Sequence, residues 1–368
     1  MITETSASIR RILVLAWRDV DDSAAGGSEL YVQEVAAALS RSGHDVSILT
    51  SAVSGQPEDI TRDGVAVRRR GGRLLSVPAN IGRAAFIEQR QADAVIDVWN
   101  GVPFLSPLWS RRPRVVVLHH LHGRLWHDNF SRPVAATGDF LERRVFPRLY
   151  RKTQLATLGE TSRAELVSAC GFAPENIHVV PPGIGGSYFR AGSRTSAPSL
   201  VIVARLVAAK QVDIALDVIR SARMIVPTLM VTVVGSGPDR EKLERQAPDG
   251  VSFAGRLSDE DLVELYRRSW MVLSASNSEG WGMTITEAAA CGTPAVALAS
   301  GGHLDAIVDG VTGLLGSNAL ELVSAVVAIA SDADYRDRLG RAAEERSGAL
   351  TWDRTAQSLV DLLRRSQQ

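Results

Sequence analysis

Short apolar runs alternate with longer amphipathic stretches along almost the whole chain, and that alternation predicts parallel sheets with crossover helices. In the first half "RILVLAW" reads as a strand, "SELYVQEVAAALSRSG" as a helix ending at Gly43, and "HDVSILTS" as the next strand. "VAVRRR", "AVIDVW", "RVVVLHH" and "LATLG" come after it as strands, with helices at Arg83–Gln91 and Thr161–Cys170 between some of them. Near Ile177 the pattern closes on "IHVVPPGIGGSYF", whose prolines and glycines break helix and strand alike and read as a linker. It then restarts with "SLVIVARL", a helix from about Val212, "LMVTVVGSGP", a helix over Arg240–Arg245, "VSFAG", a helix over Ser258–Arg268, and "WMVLSAS".

The expected architecture is α/β, two Rossmann-like domains facing a central cleft. The domains are residues 1–184 and 185–349, and a terminal helix over 350–368, with Thr351 as its N-cap, can pack across the junction. A chain of 368 residues is long enough for two cores.

Charge adds one feature to this pattern. Lys plus Arg and Asp plus Glu each total 41, so whole-chain charge gives no reason to expect a nucleic acid partner. Between Arg62 and Arg163, however, 18 basic residues face 8 acidic ones. That basic first half is either a solvated arginine-rich surface or one that permits peripheral contact with anionic lipid or an acidic acceptor. No run approaches the length of a spanning helix, "MITETSASIR" does not resemble a signal peptide, and the two cysteines fall in different domains; the expectation is a cytoplasmic protein, membrane-associated at most at the inner face.

Chemistry concentrates in "SASNSEGWGMTITEAAACGTPAVA". It comes directly after a strand, so it lies where open α/β sheets place ligands, and the helix start after it faces a crevice. Gly280 and Gly282 leave backbone amides open to close approach, while Glu279 and Glu287 are acceptors suited to sugar and ribose hydroxyls. The bland alternative is one loop charge and one helix-surface charge. In "VARLVAAKQVDIALDVI", Arg205 and Lys210 sit on the turn after the first strand of the second half, placed to hold an anion such as a diphosphate, or simply two surface cations. Gly26 and Gly27 precede a helix in "RDVDDSAAGGSELYVQEV", a weak phosphate motif without the glycine pattern of a dinucleotide dehydrogenase. "VVVLHHLHGRLWHDNF" brings His119, His120, His122 and His127 together, but no Asp, Glu or Cys pattern completes a metal site, and structural histidines fit better.

"SEGWGMTITEAAACGTPAVALASGGHLDAIVDGVTGLL" resembles the nucleotide-sugar site of retaining glycosyltransferases of the GT-B fold, the large family 4, of the group 1 type, which includes bacterial hexosyltransferases. The resemblance implies that Glu279 contacts the transferred sugar, that Glu287 binds the ribose, and that amides around Gly282, Met283 and Thr284 hold sugar hydroxyls beside Gly280 and Trp281. Most members carry Phe at the position of Trp281. Arg205, Leu206 and Lys210 match the family's diphosphate clamp, and Gly235, Gly255, Arg256 and Leu257 match loops that embrace the base. In the first half Gly26, Gly27 and Ser28 match a loop between donor diphosphate and acceptor; Asp19, Asp21 and Asp22 are not general to it. His119 best matches a histidine beside the sugar, with His120 in the alternate register on the acceptor side. The family thus implies catalytic roles for His119, Glu279, Arg205 and Lys210. The expected activity is hexosyl transfer from a UDP- or GDP-sugar to a hydroxyl of a glycan, lipid or small molecule, with no cofactor and no metal. A nucleotide-sugar epimerase or hydrolase on the same architecture is the alternative; a non-catalytic sugar-binding protein is disfavoured, because a diphosphate clamp exceeds what sugar binding needs.

Overall fold

The β-branched runs become strands of parallel sheets, whose crossover connections bring helices onto the sheet faces. The computed structural model describes residues 9–72 and 76–367, and the chain forms two units: residues up to Gly183 together with Trp352 onward, and Ile184–Thr351.

The first unit holds β1 (Arg11–Leu15), β2 (Asp45–Thr50), β3 (Asp59–Arg62), β4 (Val65–Arg69), β5 (Ala94–Trp99), β6 (Arg114–Leu118), β7 (Gln154–Thr157) and β8 (Ile177–Val179). They lie in the order β3-β4-β2-β1-β5-β6-β7-β8, all parallel except the β3–β4 hairpin, so the order reverses between β1 and β5. Two of these strands are absent from the sequence expectation. β3 pairs back through Asp63 and Gly64, both at positive φ, the Asp-Gly hairpin turn, and β8 is a three-residue edge strand inside the segment read as linker. The helix expected over Arg83–Gln91 instead spans Ser76–Phe86 and is succeeded by a 3₁₀ turn at Glu88–Arg90. There the buried Glu88 turns inward to Arg83 Nε at 2.8 Å and to Arg68, and the chain tightens around that pairing.

The second unit holds β9 (Ser199–Val203), β10 (Met230–Val234), β11 (Val251–Gly255), β12 (Met271–Ser274), β13 (Ala295–Leu298) and β14 (Gly313–Gly316). All are parallel in the order β11-β10-β9-β12-β13-β14, which reverses between β9 and β12. Helix Val212–Arg223 buries Val212, Ala215, Leu216, Val218, Ile219 and Ala222 in one stripe against this sheet. Each large apolar side chain so buried contributes about 1.5–3 kcal/mol. Both units are therefore Rossmann-like parallel sheets, as the alternation of the sequence implies.

The C-terminal helix, Trp352–Arg365, belongs to the first unit. Trp352 packs edge-on against Tyr31 at 5.6 Å, Thr355 Oγ1 donates to the Pro181 carbonyl at 2.8 Å, and Arg41 pairs with Asp353 at 3.1 Å. Among the described residues no helix is long and apolar enough to cross a membrane.

The acids beyond β1 have a structural account. Asp19 and Arg69 are both buried, and Arg69 donates to Asp19 at 3.0 and 3.2 Å and to Asp21 at 2.5 Å, while Arg62 reaches the same two carboxylates. Burial pushes the Asp19 carboxyl up, but the hydrogen bond from Arg69, the Asp21 amide and the charge of Arg62 outweigh it and hold the group below the usual range. This network fixes the loop that leads into helix Gly27–Arg41. Breaking a buried pair strands its partner, so Asp19→Ala is expected to lower stability by about 3 kcal/mol in urea titration. Arg69→Met added to that variant should cost far less than it does alone; additive losses would show that the pair is not coupled.

Candidate functional site

The crevice where β9 and β12 part collects most of the charged positions singled out in the second unit, as the reversal of strand order requires. After β9 the chain runs through Ala204, Arg205 and Leu206 into a 3₁₀ turn at Ala208–Lys210; after β12 it runs through Ser276 and Glu279 to the helix Met283–Ala290. Lys210 Nζ lies 2.5 Å from Glu279 Oε1, with about a fifth of each side chain exposed (19% and 20%). Burial pushes the Glu279 carboxyl up, yet the charge and hydrogen bond of Lys210 win, and the group sits below the ordinary carboxylate range. Arg205 is exposed and makes no side-chain hydrogen bond or ion pair with the described residues. The crevice thus presents a neutralised pair and a free cation.

Backbone contacts set this loop. Gly302 N donates to the Glu279 carbonyl at 2.8 Å, Ser300 Oγ to the Ser276 carbonyl at 2.8 Å, and Ser276 Oγ to the Ala209 carbonyl at 3.2 Å. A Cβ on Gly302 would lie 2.4 Å from the backbone of Trp281, so only glycine lets the loop after β13 come this close. His303, fully buried, is not among the residues expected from the sequence. Its ring bridges the Leu298 carbonyl at 2.8 Å through Nδ1 and Ser274 Oγ at 3.1 Å through Nε2, tying the ends of β12 and β13 together. The one signal for it is a histidine directly after Gly-Gly at a strand end. Trp281 is buried, with Nε1 3.4 Å from Thr286 Oγ1.

Helix Met283–Ala290 begins after Gly282, at φ 97°, with no side-chain cap, so the first amides, on Met283 and Thr284, have no intrahelical acceptor. One turn further in, Glu287 is buried and accepts from Tyr266 Oη at 3.4 Å. Burial pushes its carboxyl up to about 7, and the Tyr266 hydrogen bond offsets only part of that. Gly235 follows β10 and Gly255 ends β11; Gly235 N donates to the Gly255 carbonyl at 2.7 Å, and a Cβ on Gly235 would lie 1.9 Å from the Ala204 carbonyl oxygen. Gly235 therefore seats the β10 loop on the Arg205 turn. Arg256 is exposed and donates to Ser236 Oγ at 2.9 Å, and Leu257 is half-buried beside it.

In the first unit the singled-out residues lie after β1 and β6. Gly26 N donates to Glu29 Oε2 at 2.8 Å, which closes the start of helix Gly27–Arg41, and Ser28 Oγ accepts from Asn100 Nδ2 at 3.3 Å. His119 meets Tyr31 edge-on at 4.6 Å between centroids; its Nε2 and the Tyr31 hydroxyl are shut off from solvent without a partner among the described residues. Desolvation pushes the His119 pKa down to about 4, so the ring is neutral near pH 7. His120 stacks on His122 at 5.9 Å, and His127 is exposed. Among the described residues no three His, Cys, Asp or Glu side chains converge as a metal ligand set. Asp97, fully buried, organises the loop after β5 by accepting from Ser106 Oγ and Tyr150 Oη, both at 2.7 Å.

The profile of the family described as "Glycosyl transferases group 1" matches residues 189–346, and that of the "Glycosyl transferase 4-like domain" matches residues 26–183. The D-inositol 3-phosphate glycosyltransferase of Geodermatophilus obscurus is 31% identical over 91% of this chain and 84% of its own length. The enzyme of the same name from Kribbella flavida is 30% identical over 91% and 90%. Among solved structures, sucrose-phosphate synthase from Thermosynechococcus elongatus superposes with a TM-score of 0.80 at 20% identity, covering 97% of this chain and 98% of that one. Anabaena HepE in complex with UDP-glucose gives 0.73 at 19% identity, over 95% and 98%. These structural likenesses establish the GT-B fold.

The raised Glu287 makes a prediction about pH. A carboxyl raised from 4.5 to about 7 on folding contributes stability that is fully present below about pH 4.5 and is lost as pH rises through 7. Glu287→Gln removes that term, so across this window the variant should gain on the natural protein by up to about 3 kcal/mol, with no further change outside it. Parallel stability curves in denaturant titrations between pH 4 and 8 would show that Glu287 is not desolvated as described.

Proposed function

The chain belongs to the group 1 glycosyltransferases, and from that premise we propose that it moves a hexosyl residue from a nucleotide-diphosphate sugar to a hydroxyl acceptor with retention of anomeric configuration. The observation that carries this reading is the Lys210–Glu279 pair at 2.5 Å beside the free Arg205, at the switch point of the second sheet. A diphosphate needs cations and a sugar needs hydroxyl acceptors, and this crevice offers both within one pair of loops.

In the proposed complex Arg205 and Lys210 take the diphosphate, and Glu279 takes hydroxyls of the sugar. The amides of Met283 and Thr284 face the same ring, with Gly280, Trp281 and Gly282 shaping its seat. Glu287 accepts from the ribose, and the Gly235 and Gly255–Leu257 loops lie along the base. Gly26, Gly27 and Ser28 border the acceptor, with His119 or His120 toward the sugar. The acceptor oxygen attacks the anomeric carbon on the face from which the diphosphate leaves; the bond to the diphosphate oxygen breaks, and that oxygen takes the acceptor's proton. The two cations stabilise the charge that develops there, so the reading invokes no metal ion. HepE, solved with UDP-glucose, makes UDP the first base to test, with GDP second. The relatives named for an inositol phosphate make a phosphorylated polyol the first acceptor to try.

Thermal shifts with UDP-, GDP-, ADP- and TDP-sugars test the donor site. One base class at a hundredfold excess over Kd should raise stability by about 2.7 kcal/mol, and Arg205→Ala should abolish the shift. Lys210→Ala should lower kcat about 10²- to 10³-fold. Glu279→Ala should depress turnover more than nucleotide affinity. No shift with any nucleotide sugar, or release of free sugar with no acceptor product, would contradict the transferase reading; an α-configured product from an α-configured donor, read by NMR, tests retention.

A further inference from the structure

His119 and His120 follow β6, and the chain beyond them is irregular: Leu121, His122, and Gly123 at φ 45° before the short helix Arg124–Asn129. A loop of this kind holds its shape only where its amides find acceptors. Here they find one side chain. Glu142, fully buried, accepts from His122 N at 3.0 and 3.1 Å, from Gly123 N at 3.3 Å and from Trp126 Nε1 at 2.9 Å, and His122 Nδ1 lies 3.6 Å from it.

Glu142 reaches this position from a π-helical turn, Leu141–Val145, set between the helices Arg132–Phe140 and Phe146–Tyr150. Such turns are rare, are inserted as single wide turns and recur at functional sites. A second contact makes the same frame. Gly138, one turn earlier, presses on Trp126 so closely that a Cβ there would lie 2.6 Å from the indole. Trp126 in turn meets His122 at 5.5 Å, and His122 stacks on His120. A buried carboxylate holding several donors is costly to disturb, because removing it strands each of them.

We infer that Glu142 is a positioning residue for glycosyl transfer: through the His122 and Gly123 amides and Trp126 it fixes the loop that sets His119 and His120. This rests on the reading that those histidines face the transferred sugar. Glu142 touches neither substrate.

Glu142→Gln tests it in the full chain, since the amide keeps the shape but turns donors toward donors. The expected result is a folded protein whose kcat falls about 10- to 100-fold while nucleotide-sugar affinity stays within about twofold. In ¹³C–¹H spectra of the seven histidine rings, the signals of His119, His120 and His122 should move, and those of His44, His178 and His303 should stay. Gly138→Ala, which displaces Trp126 and leaves Glu142 intact, should give the same pattern even if Glu142→Gln does not fold. Unmoved His119 and His120 signals in the folded variants, or moved signals with full kcat, would overturn the inference. If the natural protein transfers nothing, the reaction fails while the ring signals still decide whether Glu142 sets the loop.

Discussion

The ion pair between Lys210 and Glu279 is the interaction on which the second unit's crevice depends. The loops that leave the neighbouring strands β9 and β12 would otherwise present their opposite charges unpaired. At 2.5 Å, partly removed from water, each charge answers the other, and the 3₁₀ turn of Lys210 is fixed relative to the end of β12. In the proposed donor complex the pair would also let an acidic side chain stand beside a diphosphate. In that complex Glu279 alone would repel the diphosphate; paired with Lys210 its charge is screened at its source, and Arg205 would supply a second cation.

Close backbone packing makes the pairing possible. Gly235 rests on the Ala204 carbonyl, Gly302 on Trp281, and neither position has room for a Cβ. Glycines of this kind read in a sequence as places where a ligand comes near. In the fold they have an earlier duty, which is to let one loop come near another; the surface offered to a ligand is a product of that packing. His303 performs the complementary task from within, joining β12 to β13 through one hydrogen bond at each ring nitrogen.

What the sequence made legible was whatever repeats locally or stands out chemically. The strand-helix alternation marked both sheets, and charged residues in the segments after strands drew attention to Glu279, Glu287, Arg205 and Lys210, of which the fold pairs Lys210 with Glu279 and buries Glu287. The hairpin strand β3 escapes such a reading although Asp63-Gly64 announces it, because its four residues lack a hydrophobic face. Asp97 and Tyr150 are 53 residues apart, and Trp126 and Glu142 are 16 apart. Such partners answer a need for buried acceptors that arises only once the chain has folded, so no spacing in the sequence marks them. Asp19 is the same case: an unexplained acid in the loop becomes intelligible when Arg69 appears beneath it.

The electrostatics of the two units bear differently on where a proton can go. His119, desolvated against Tyr31 with a pKa of about 4, is protonated in roughly one molecule in a thousand at pH 7. A general acid or base must change charge at working pH, and this ring is held neutral by the burial that positions it. A ring held in this state is poorly suited to exchange a proton near pH 7. Glu279 is a weak base for a related reason, since Lys210 stabilises its ionised form. With the histidine held neutral and the carboxylate held charged, the proposed reaction assigns the acceptor's proton to neither side chain. In the proposed reaction the leaving diphosphate oxygen remains to receive it, and the cations that hold the diphosphate are then the groups on which the rate depends.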